Sequence, residues 1–276
     1  MKEHCDIFHL KPATGELRKQ QLRLLDFTKE FLNWVAPLDI KPFLSGGNLL
    51  GALRHKGFIP WDDDMDFYLM REDYEKLIHW CEKHGVVCFY HGKWSKYSSY
   101  QIAERLHSRV KEYPNQWVLD IWFTQLQLSK GADFSDQQFL DFFPLDFYKE
   151  GYTFEEHKKY LQNINTQKFQ LDYIDQMTEF VRHEAHSNPN VVKKSNQVYY
   201  GFDGATLKKW HHDFIPADVV LPLQKTKFEN TEFYVPNKID QFIEWEFQNW
   251  DKFPDDIGWA HHNWAKDLFR KQNENK

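Results

Sequence analysis

Apolar side chains recur at helical spacing in several parts of the chain. The first such segment runs from Gly15 to Ala36, where leucine, phenylalanine and valine side chains repeat between charged ones. Thr14 precedes the segment as a candidate N-cap residue, and Pro37 marks its end. The same periodicity predicts further helices at Asn48–His55, Glu72–His84, Phe154–His186 and Ile239–Trp250.

Short apolar runs and alternating apolar and polar residues predict strands between these helices. The predicted strands are Lys41–Leu44, Asp64–Leu69, Val86–Tyr90, Val118–Phe123 and Phe139–Phe143. From Tyr199 onward, prolines divide the chain into short segments that predict loops and strands. Helices and strands follow one another without regular βαβ alternation, so the sequence predicts an α+β fold.

The composition is that of an ordinary globular chain of 276 residues. No repeat or Gly/Ser-rich linker divides it, so we expect a single domain over residues 1–276, helical and loop-rich beyond about residue 151. Its 35 Lys and Arg residues against 41 Asp and Glu residues give a net charge of −6, which excludes the basic surface of a nonspecific nucleic-acid binder. Aromatic residues make up 17%, and most of them must fill the core.

Cysteine usage and hydropathy predict the compartment. The three cysteines include no CxxC pair, which favours a reducing compartment over a disulfide framework or a zinc site. No stretch reaches the ~18 apolar residues of a membrane-spanning helix, and the N-terminus has no apolar signal core. We therefore expect a soluble, cytoplasmic protein without a transmembrane segment, whose contact with the inner face of the membrane would be peripheral.

The residues that point to chemistry are concentrated in positions 43–67, FLSGGNLLGALRHKGFIPWDDDMDF. Ser45, Gly46, Gly47 and Asn48 form a turn of small residues between a predicted strand and a predicted helix. Glycine lets backbone N–H groups approach a ligand closely, and a helix N-terminus favours phosphate. The turn is therefore a candidate phosphate-binding element, although an ordinary tight turn would explain these residues equally well.

A run of aspartates ends the same stretch. In a strand, Asp64 and Asp66 project from one face while Met65 and Phe67 face the core. Neighbouring carboxylates repel each other unless a cation lies between them, and Mg²⁺ takes such oxygen ligands. We interpret the pair as a metal site rather than as a solvated acidic turn, because apolar residues alternate with it. Asp62 would join this face if the strand began early.

A two-metal phosphoryl-transfer site needs another carboxylate from an adjacent strand. Asp120 and Asp141 both lie between apolar residues, and their spacing does not rank one above the other. Asp146, which follows a proline, is predicted to lie in a turn or a cap. At the end of the short helix, Arg54 and Lys56 could bind phosphate, although helix C-termini attract cations for dipole reasons as well.

These motifs resemble those of the LicD family of the nucleotidyltransferase superfamily. Gly46-Gly47 and Asp64-Met65-Asp66 match the superfamily pattern, and the intervening residues resemble the family signature almost residue for residue. Asn48 stands where threonine is usual, and either side chain can donate a hydrogen bond. The segment FLDFFPLD at residues 139–146 is similar to a second family motif, which selects Asp141 as the third carboxylate.

The resemblance implies a fold and a reaction class. The fold would be a nucleotidyltransferase-like core over about residues 15–150, with a small mixed β-sheet flanked by helices. The reaction would move a phosphorylated alcohol from a CDP-linked alcohol donor onto a sugar hydroxyl of a glycan or glycolipid acceptor and release CMP. The metal, Mg²⁺ or Mn²⁺, and the catalytic steps would involve Asp64, Asp66 and Asp141, and the substrate would be bound by Ser45, Gly46, Gly47, Asn48, Arg54 and Lys56.

Family members are associated with phosphocholine on lipopolysaccharide or teichoic acid and with ribitol phosphate on glycans. The aromatic excess favours phosphocholine, because a quaternary ammonium group prefers aromatic faces. Polyol-phosphate transfer (ribitol or glycerol phosphate) is the alternative, since polar side chains that could bind hydroxyl groups are also present. Nucleotidyl transfer, with attack at the α-phosphorus, would use the same site. A noncatalytic nucleotide- or glycan-binding protein is a further alternative, which the presence of all three aspartates disfavours.

Overall fold

A computed structural model describes residues 10–83, 89–90, 108–111, 118–119, 139–168, 183–202, 213–247 and 250–252 of the protein. The helices are α1 (Gly15–Val35), α2 (Gly46–Arg54), α3 (Arg71–Lys83), α4 (Phe154–Lys168), α5 (Ala217–Val220) and α6 (Ile239–Glu246). A 3-10 turn at Ala36–Leu38 follows α1, and residues 183–187 are also helical. Within these described ranges, no helix is long and apolar enough to cross a membrane.

The described strands join in one mixed sheet. They are β1 (Phe43–Leu44), β2 (Met65–Met70), β3 (Phe89–Tyr90), β4 (Ser108–Lys111), β5 (Val118–Leu119), β6 (Phe139–Tyr148), β7 (Val191–Val192), β8 (Gln197–Tyr200), β9 (Ile215–Pro216), β10 (Gln224–Phe228) and β11 (Thr231–Val235). The main path runs β10-β11-β1-β2-β6-β4-β3. Two pairs, β1 with β11 and β2 with β6, are parallel, and the other pairs are antiparallel. The predicted α+β class is confirmed.

The two faces of β2 carry different side chains because side chains alternate along a strand. Met65 and Phe67 are fully buried on the face covered by α1, where Thr28 Oγ1 lies 3.2 Å from the Met65 sulfur. Phe67 also stacks on Phe142 of β6, with ring centroids 5.6 Å apart. The opposite face carries Asp66 and Tyr68, and α6 packs there. Hydrophobic burial therefore holds one face of β2 in the core and leaves the acidic positions on the other.

Two predicted elements agree closely with the observed bounds, while the predicted helix Phe154–His186 is observed at 154–168 and its residues 169–182 lie outside the described ranges. The predicted helix Gly15–Ala36 is observed as α1, and the predicted strand Asp64–Leu69 is shifted by one residue in β2. The last predicted helix is shorter than expected and ends at Glu246. Asp120 and most of its predicted strand lie outside the described residues.

The prediction that Asp146 lies in a turn or a cap is wrong. Strand β6 continues through Pro144 to Tyr148, and Asp146 pairs with Tyr199 of β8. The strand survives its proline because its outer edge changes partner there: β4 pairs with residues 139–142 and β8 with residues 145–148. Pro144 has no backbone N–H, but it lies between the residues that pair with β4 and those that pair with β8. Neither of these two sets of strand hydrogen bonds is therefore interrupted.

A second cluster of aromatic residues lies beyond β6. His157 of α4 is fully buried in it and contacts Tyr148, Tyr199 and Phe202. Neither imidazole nitrogen makes a hydrogen bond to the described residues, and burial lowers the pKa of His157 to about 3. Much of the aromatic content therefore fills two cores, as expected from the composition.

Candidate functional site

The turn at Ser45–Asn48 is held against the acidic strand by backbone geometry. The backbone N–H of Ser45 donates to the carbonyl of Asp66 at 3.0 Å, and α2 begins at Gly46. Gly46 has φ +52°, and a β-carbon there would lie 3.2 Å from Asp66 Oδ2. At Gly47 a β-carbon would lie 2.6 Å from Asp62 Oδ2. The positive φ favours glycine at position 46, and a side chain at either position would press on a carboxylate of the acidic run.

Asn48 joins α2 to the strand that carries the aspartates. Its side-chain oxygen accepts a hydrogen bond from the Asp66 backbone N–H at 2.5 Å, and its amide donates to the Asp64 carbonyl at 3.1 Å. The amide also lies 3.5 Å from Asp62 Oδ2. The side chain is fully buried. These contacts give Asn48 a role in fixing the position of the acidic run relative to the turn.

The aspartates of the run differ in exposure. Asp62 is 6% exposed, Asp63 is exposed, and Asp64 and Asp66 are partly buried. Burial, followed by the nearby charges of Asp64 and Asp63, raises the pKa of Asp62 well above its usual value. Strand β2 begins only at Met65, so the early strand start that would bring Asp62 onto its face is not observed; Asp62 instead lies against Gly47 of the turn. A folded chain that holds like charges this close provides a place where a cation would be stabilised.

Strand pairing brings the second acidic motif to the same place. Asp141 of β6 is the direct partner of Asp66 in the parallel β2–β6 pair. Neighbouring strands lie about 4.8 Å apart, so the two backbone positions are adjacent. Within the part of the chain that the structure describes, no three acidic, histidine or cysteine side chains form a group arranged to hold a metal. The assignment of Asp141 as a third ligand therefore stays a prediction that strand register supports.

The basic residues after α2 occupy different environments. Arg54 is 8% exposed, and burial lowers its pKa to about 10 against the opposing effect of Asp251. Burial and the charge of Arg54 lower the pKa of His55 to about 4, so its imidazole is neutral at pH 7. Lys56 is exposed, has φ +55°, and its carbonyl accepts from the Glu229 backbone N–H at 2.6 Å. Of the two predicted phosphate-binding cations, Lys56 is thus the exposed one.

The loop that leads to the aspartates is anchored by an ion pair. Arg18 of α1 makes two hydrogen bonds to the carboxylate of Glu229, at 2.8 and 2.7 Å. Glu229 also accepts from the Phe58 backbone N–H at 3.2 Å. The hydrogen bond from Arg18 is the main cause that lowers the pKa of Glu229. This contact connects α1, the loop before the acidic run and the β10–β11 turn.

Sequence reasoning missed Glu246, a buried acid at the end of α6. One of its carboxylate oxygens accepts hydrogen bonds from the Tyr68 hydroxyl and, at 3.4 Å, from the Gly46 backbone N–H. Burial raises the pKa of Glu246 to about 7. A signal was present, because Glu246 follows Phe242 and Ile243 at helical spacing on the apolar side of the predicted helix. An acid in that position is a candidate buried functional group.

Comparison with known proteins connects this site to a family. A family model described as "LicD/FKTN/FKRP, nucleotidyltransferase domain" matches residues 39–186, which include the turn, the acidic run and Asp141. The lipopolysaccharide cholinephosphotransferase LicD of Haemophilus influenzae is 47% identical over 62 residues, 22% of this chain and 23% of that protein. Uncharacterized proteins of Rickettsia prowazekii and Rickettsia typhi are each 42% identical over 55 residues, 20% of this chain and 21% and 18% of theirs.

The chain thus matches about a fifth of the length of each of these relatives. The family model, by contrast, covers more than half of the 276 residues. The matched region contains the glycine turn, the acidic run and Asp141, whereas Glu246 lies outside it. The chain belongs to the LicD family of nucleotidyltransferase domains.

Proposed function

We propose that the protein is a phosphotransferase that moves phosphocholine from CDP-choline onto a sugar hydroxyl of a cell-surface glycan and releases CMP. The observation that carries this proposal is the packing of Gly46 and Gly47 against the carboxylates of Asp66 and Asp62. It joins a phosphate-binding helix start to a cluster of acids, the two parts that phosphoryl transfer requires. The similarity to a lipopolysaccharide cholinephosphotransferase supports choline as the alcohol and a glycolipid as the acceptor.

The donor set of the site fits a hard divalent cation. Asp62, Asp64 and Asp66 supply only carboxylate oxygens within five residues, and Asp141 is aligned with Asp66 on the adjacent strand. Asp64, Asp66 and Asp141 would hold Mg²⁺ or Mn²⁺, which when bound supplies positive charge that offsets the charge developing on CMP and on the transferred phosphoryl group.

The chain's own residues would orient the reactants and move the proton. Backbone N–H groups in the first turn of α2 would bind phosphate oxygens of the donor, and Lys56 would add a positive charge nearby. Asp66 or Asp141 would take the proton of the acceptor hydroxyl as its oxygen attacks the phosphorus that carries the alcohol. The bond from that phosphorus to the bridging oxygen breaks, and the bridging oxygen leaves with CMP. On this proposal the protein works in the cytoplasm, where a CDP-linked donor would reach it.

The test is the release of CMP from CDP-choline by the full chain with Mg²⁺ and a lipopolysaccharide acceptor. Asp64→Asn and Asp66→Asn should each lower turnover by more than about 100-fold while leaving the thermal transition in place, because each change removes a carboxylate ligand. Asp63→Asn is the matched control, since Asp63 is the exposed neighbour in the same run. Normal turnover in both the Asp64 and the Asp66 variants would reject the site.

The donor is tested separately with CDP-choline, CDP-ribitol and CDP-glycerol as competing substrates. Preferential CMP release from CDP-choline supports the proposal, and preferential release from either polyol donor would replace choline by a polyol. The mass of the acceptor product distinguishes the two sites of attack on the donor. Addition of phosphocholine is expected, whereas addition of a nucleotide would show nucleotidyl transfer.

A further inference from the structure

A group of four aromatic rings in mutual contact begins at Tyr68, whose hydroxyl donates a hydrogen bond to Glu246. Tyr200 stacks on Trp245 with ring centroids 5.0 Å apart. The ring centroid of Tyr68 lies 5.9 Å from that of Tyr200 and 5.9 Å from that of Phe143. Tyr200, Trp245 and Phe143 are partly exposed, whereas Tyr68 is buried. The aromatic cluster formed by these four rings therefore combines three partly exposed rings with a buried carboxyl group that is bound to Tyr68.

Burial of the Glu246 carboxyl group at this position is energetically unfavourable. It is 4% exposed, and one oxygen receives the hydrogen bonds from Tyr68 and Gly46. The other oxygen makes no hydrogen bond to any residue that the structure describes. A buried carboxylate with unused acceptor capacity is costly unless a positive charge compensates it. Burial raises the pKa of Tyr200, and the nearby charge of Glu246 raises it further.

The aromatic cluster lies next to the proposed phosphoryl-transfer site. Tyr68 and Asp66 are two residues apart on the same face of β2, a separation of about 6.6 Å along a strand. Gly46 connects the two places, because its N–H faces Glu246 while a β-carbon there would contact Asp66. A donor phosphate held at the turn would thus place a short alcohol substituent within reach of the rings.

We infer that the four rings and Glu246 form the subsite for the quaternary ammonium group of the donor, and that they select choline over uncharged alcohols. The inference rests on the proposed function and adds the residues that determine the donor's alcohol. Aromatic faces attract a quaternary ammonium ion through their quadrupole, and the carboxylate adds a long-range attraction. A neutral polyol would supply no positive charge to the Glu246 carboxyl group.

The experiment measures equilibrium binding of three ligands to the full chain by calorimetry, with Mg²⁺ present and no acceptor. The ligands are CDP-choline, CMP, and CDP-dimethylbutanol, in which carbon replaces the charged nitrogen. The unmodified protein should prefer CDP-choline over the carbon analogue by about tenfold. Glu246→Gln keeps an oxygen for Tyr68 but removes the charge, so it should reduce this preference to near one and leave CMP affinity unchanged.

A second variant keeps the inference testable if Glu246→Gln fails to fold. Trp245→Leu should weaken CDP-choline binding several-fold without changing CMP affinity, and Trp34→Leu, at an exposed tryptophan of α1, is the matched control. An unchanged preference for CDP-choline in both the Glu246 and the Trp245 variants would overturn the inference, as would an equal loss of CMP affinity. Tight, charge-dependent binding of CDP-choline without turnover would support this subsite and reject the proposed reaction instead.

Discussion

An ion pair between Arg71 and Asp146 connects the start of α3 to strand β6. Arg71 begins α3 directly after β2, and Asp146 lies in β6. Two hydrogen bonds join the guanidinium to the carboxylate, at 2.7 and 2.8 Å, and a third from Arg71 reaches Glu75 at 3.1 Å. The Asp146 side chain is fully buried, whereas that of Arg71 is 17% exposed. The pair thus connects the start of α3 to β6 at the end of the β2–β6 ladder.

Replacing Arg71 by Met removes both hydrogen bonds from a buried carboxylate. Loss of one partner from a buried ion pair costs about 3–5 kcal/mol, and each hydrogen bond to a charged group contributes about 1.5–3 kcal/mol. Because water reaches part of the Arg71 side chain, we take the lower end, about 3 kcal/mol. At about 2–4 °C per kcal/mol for a large domain, the melting temperature should fall by about 6–12 °C.

Urea unfolding followed by circular dichroism measures this loss directly. Lys76→Met is the control on the same helix. Among the described residues Lys76 pairs with the exposed Glu72 and the partly exposed Asp73, and its loss should change stability by less than about 0.5 kcal/mol. Replacing both partners, with Arg71→Met and Asp146→Leu together, should cost less than the sum of the single changes, because no buried charge is left behind. Additive losses, or a loss below about 1 kcal/mol for Arg71→Met, would refute the reasoning.

Two further predictions concern Asn48 and His157. Asn48→Ala removes the hydrogen bonds to the Asp66 and Asp64 backbone and should lower the rate of CMP release about tenfold. Asn48→Thr should retain more activity than the alanine variant. A wild-type rate in the alanine variant would contradict this prediction. The pKa of His157 is lowered to about 3, so the unfolded chain binds a proton that the folded chain does not, and stability should fall by up to about 1.4 kcal/mol per pH unit below pH 6.5. His157→Phe should flatten this dependence in urea unfolding at pH 7 and 5, and equal slopes would count against it.

The parts of the fold that local pattern decides were predictable from the sequence. Helix α1 has a long apolar stripe that only a helix can bury, and its observed bounds, Gly15–Val35, differ from the prediction by one residue. Strand β2 was equally clear, because Met65 and Phe67 alternate with Asp66. The resemblance implied roles in one site for the Gly46-Gly47 turn and the aspartates, and the structure packs Gly46 against Asp66 and Gly47 against Asp62.

The features that depend on distant partners were not predictable in the same way. Pro144 predicted the end of a strand, yet β6 continues because its neighbour changes from β4 to β8 at that residue. The burial of Asp62 depends on the approach of Gly47, and the role of Glu246 depends on α6 packing across Tyr68. Each of these contacts joins residues that are far apart in sequence or lie outside a regular element, where periodicity carries no information.

The acids of this protein divide into two groups by what surrounds their charge. Glu229 and Asp146 are each held by an arginine in a two-point contact, which neutralises the carboxylate and connects elements of the fold. Asp62 instead faces Asp64, and burial with that neighbour raises its pKa. The structural carboxylates are thus paired with arginines, whereas the acids beside the glycine turn lie close to one another. Their mutual repulsion is locally unfavourable for the folded state. A bound cation would offset this repulsion and could also bind a phosphorylated substrate. The crowded acids are therefore the strongest physical argument for transferase chemistry at this turn.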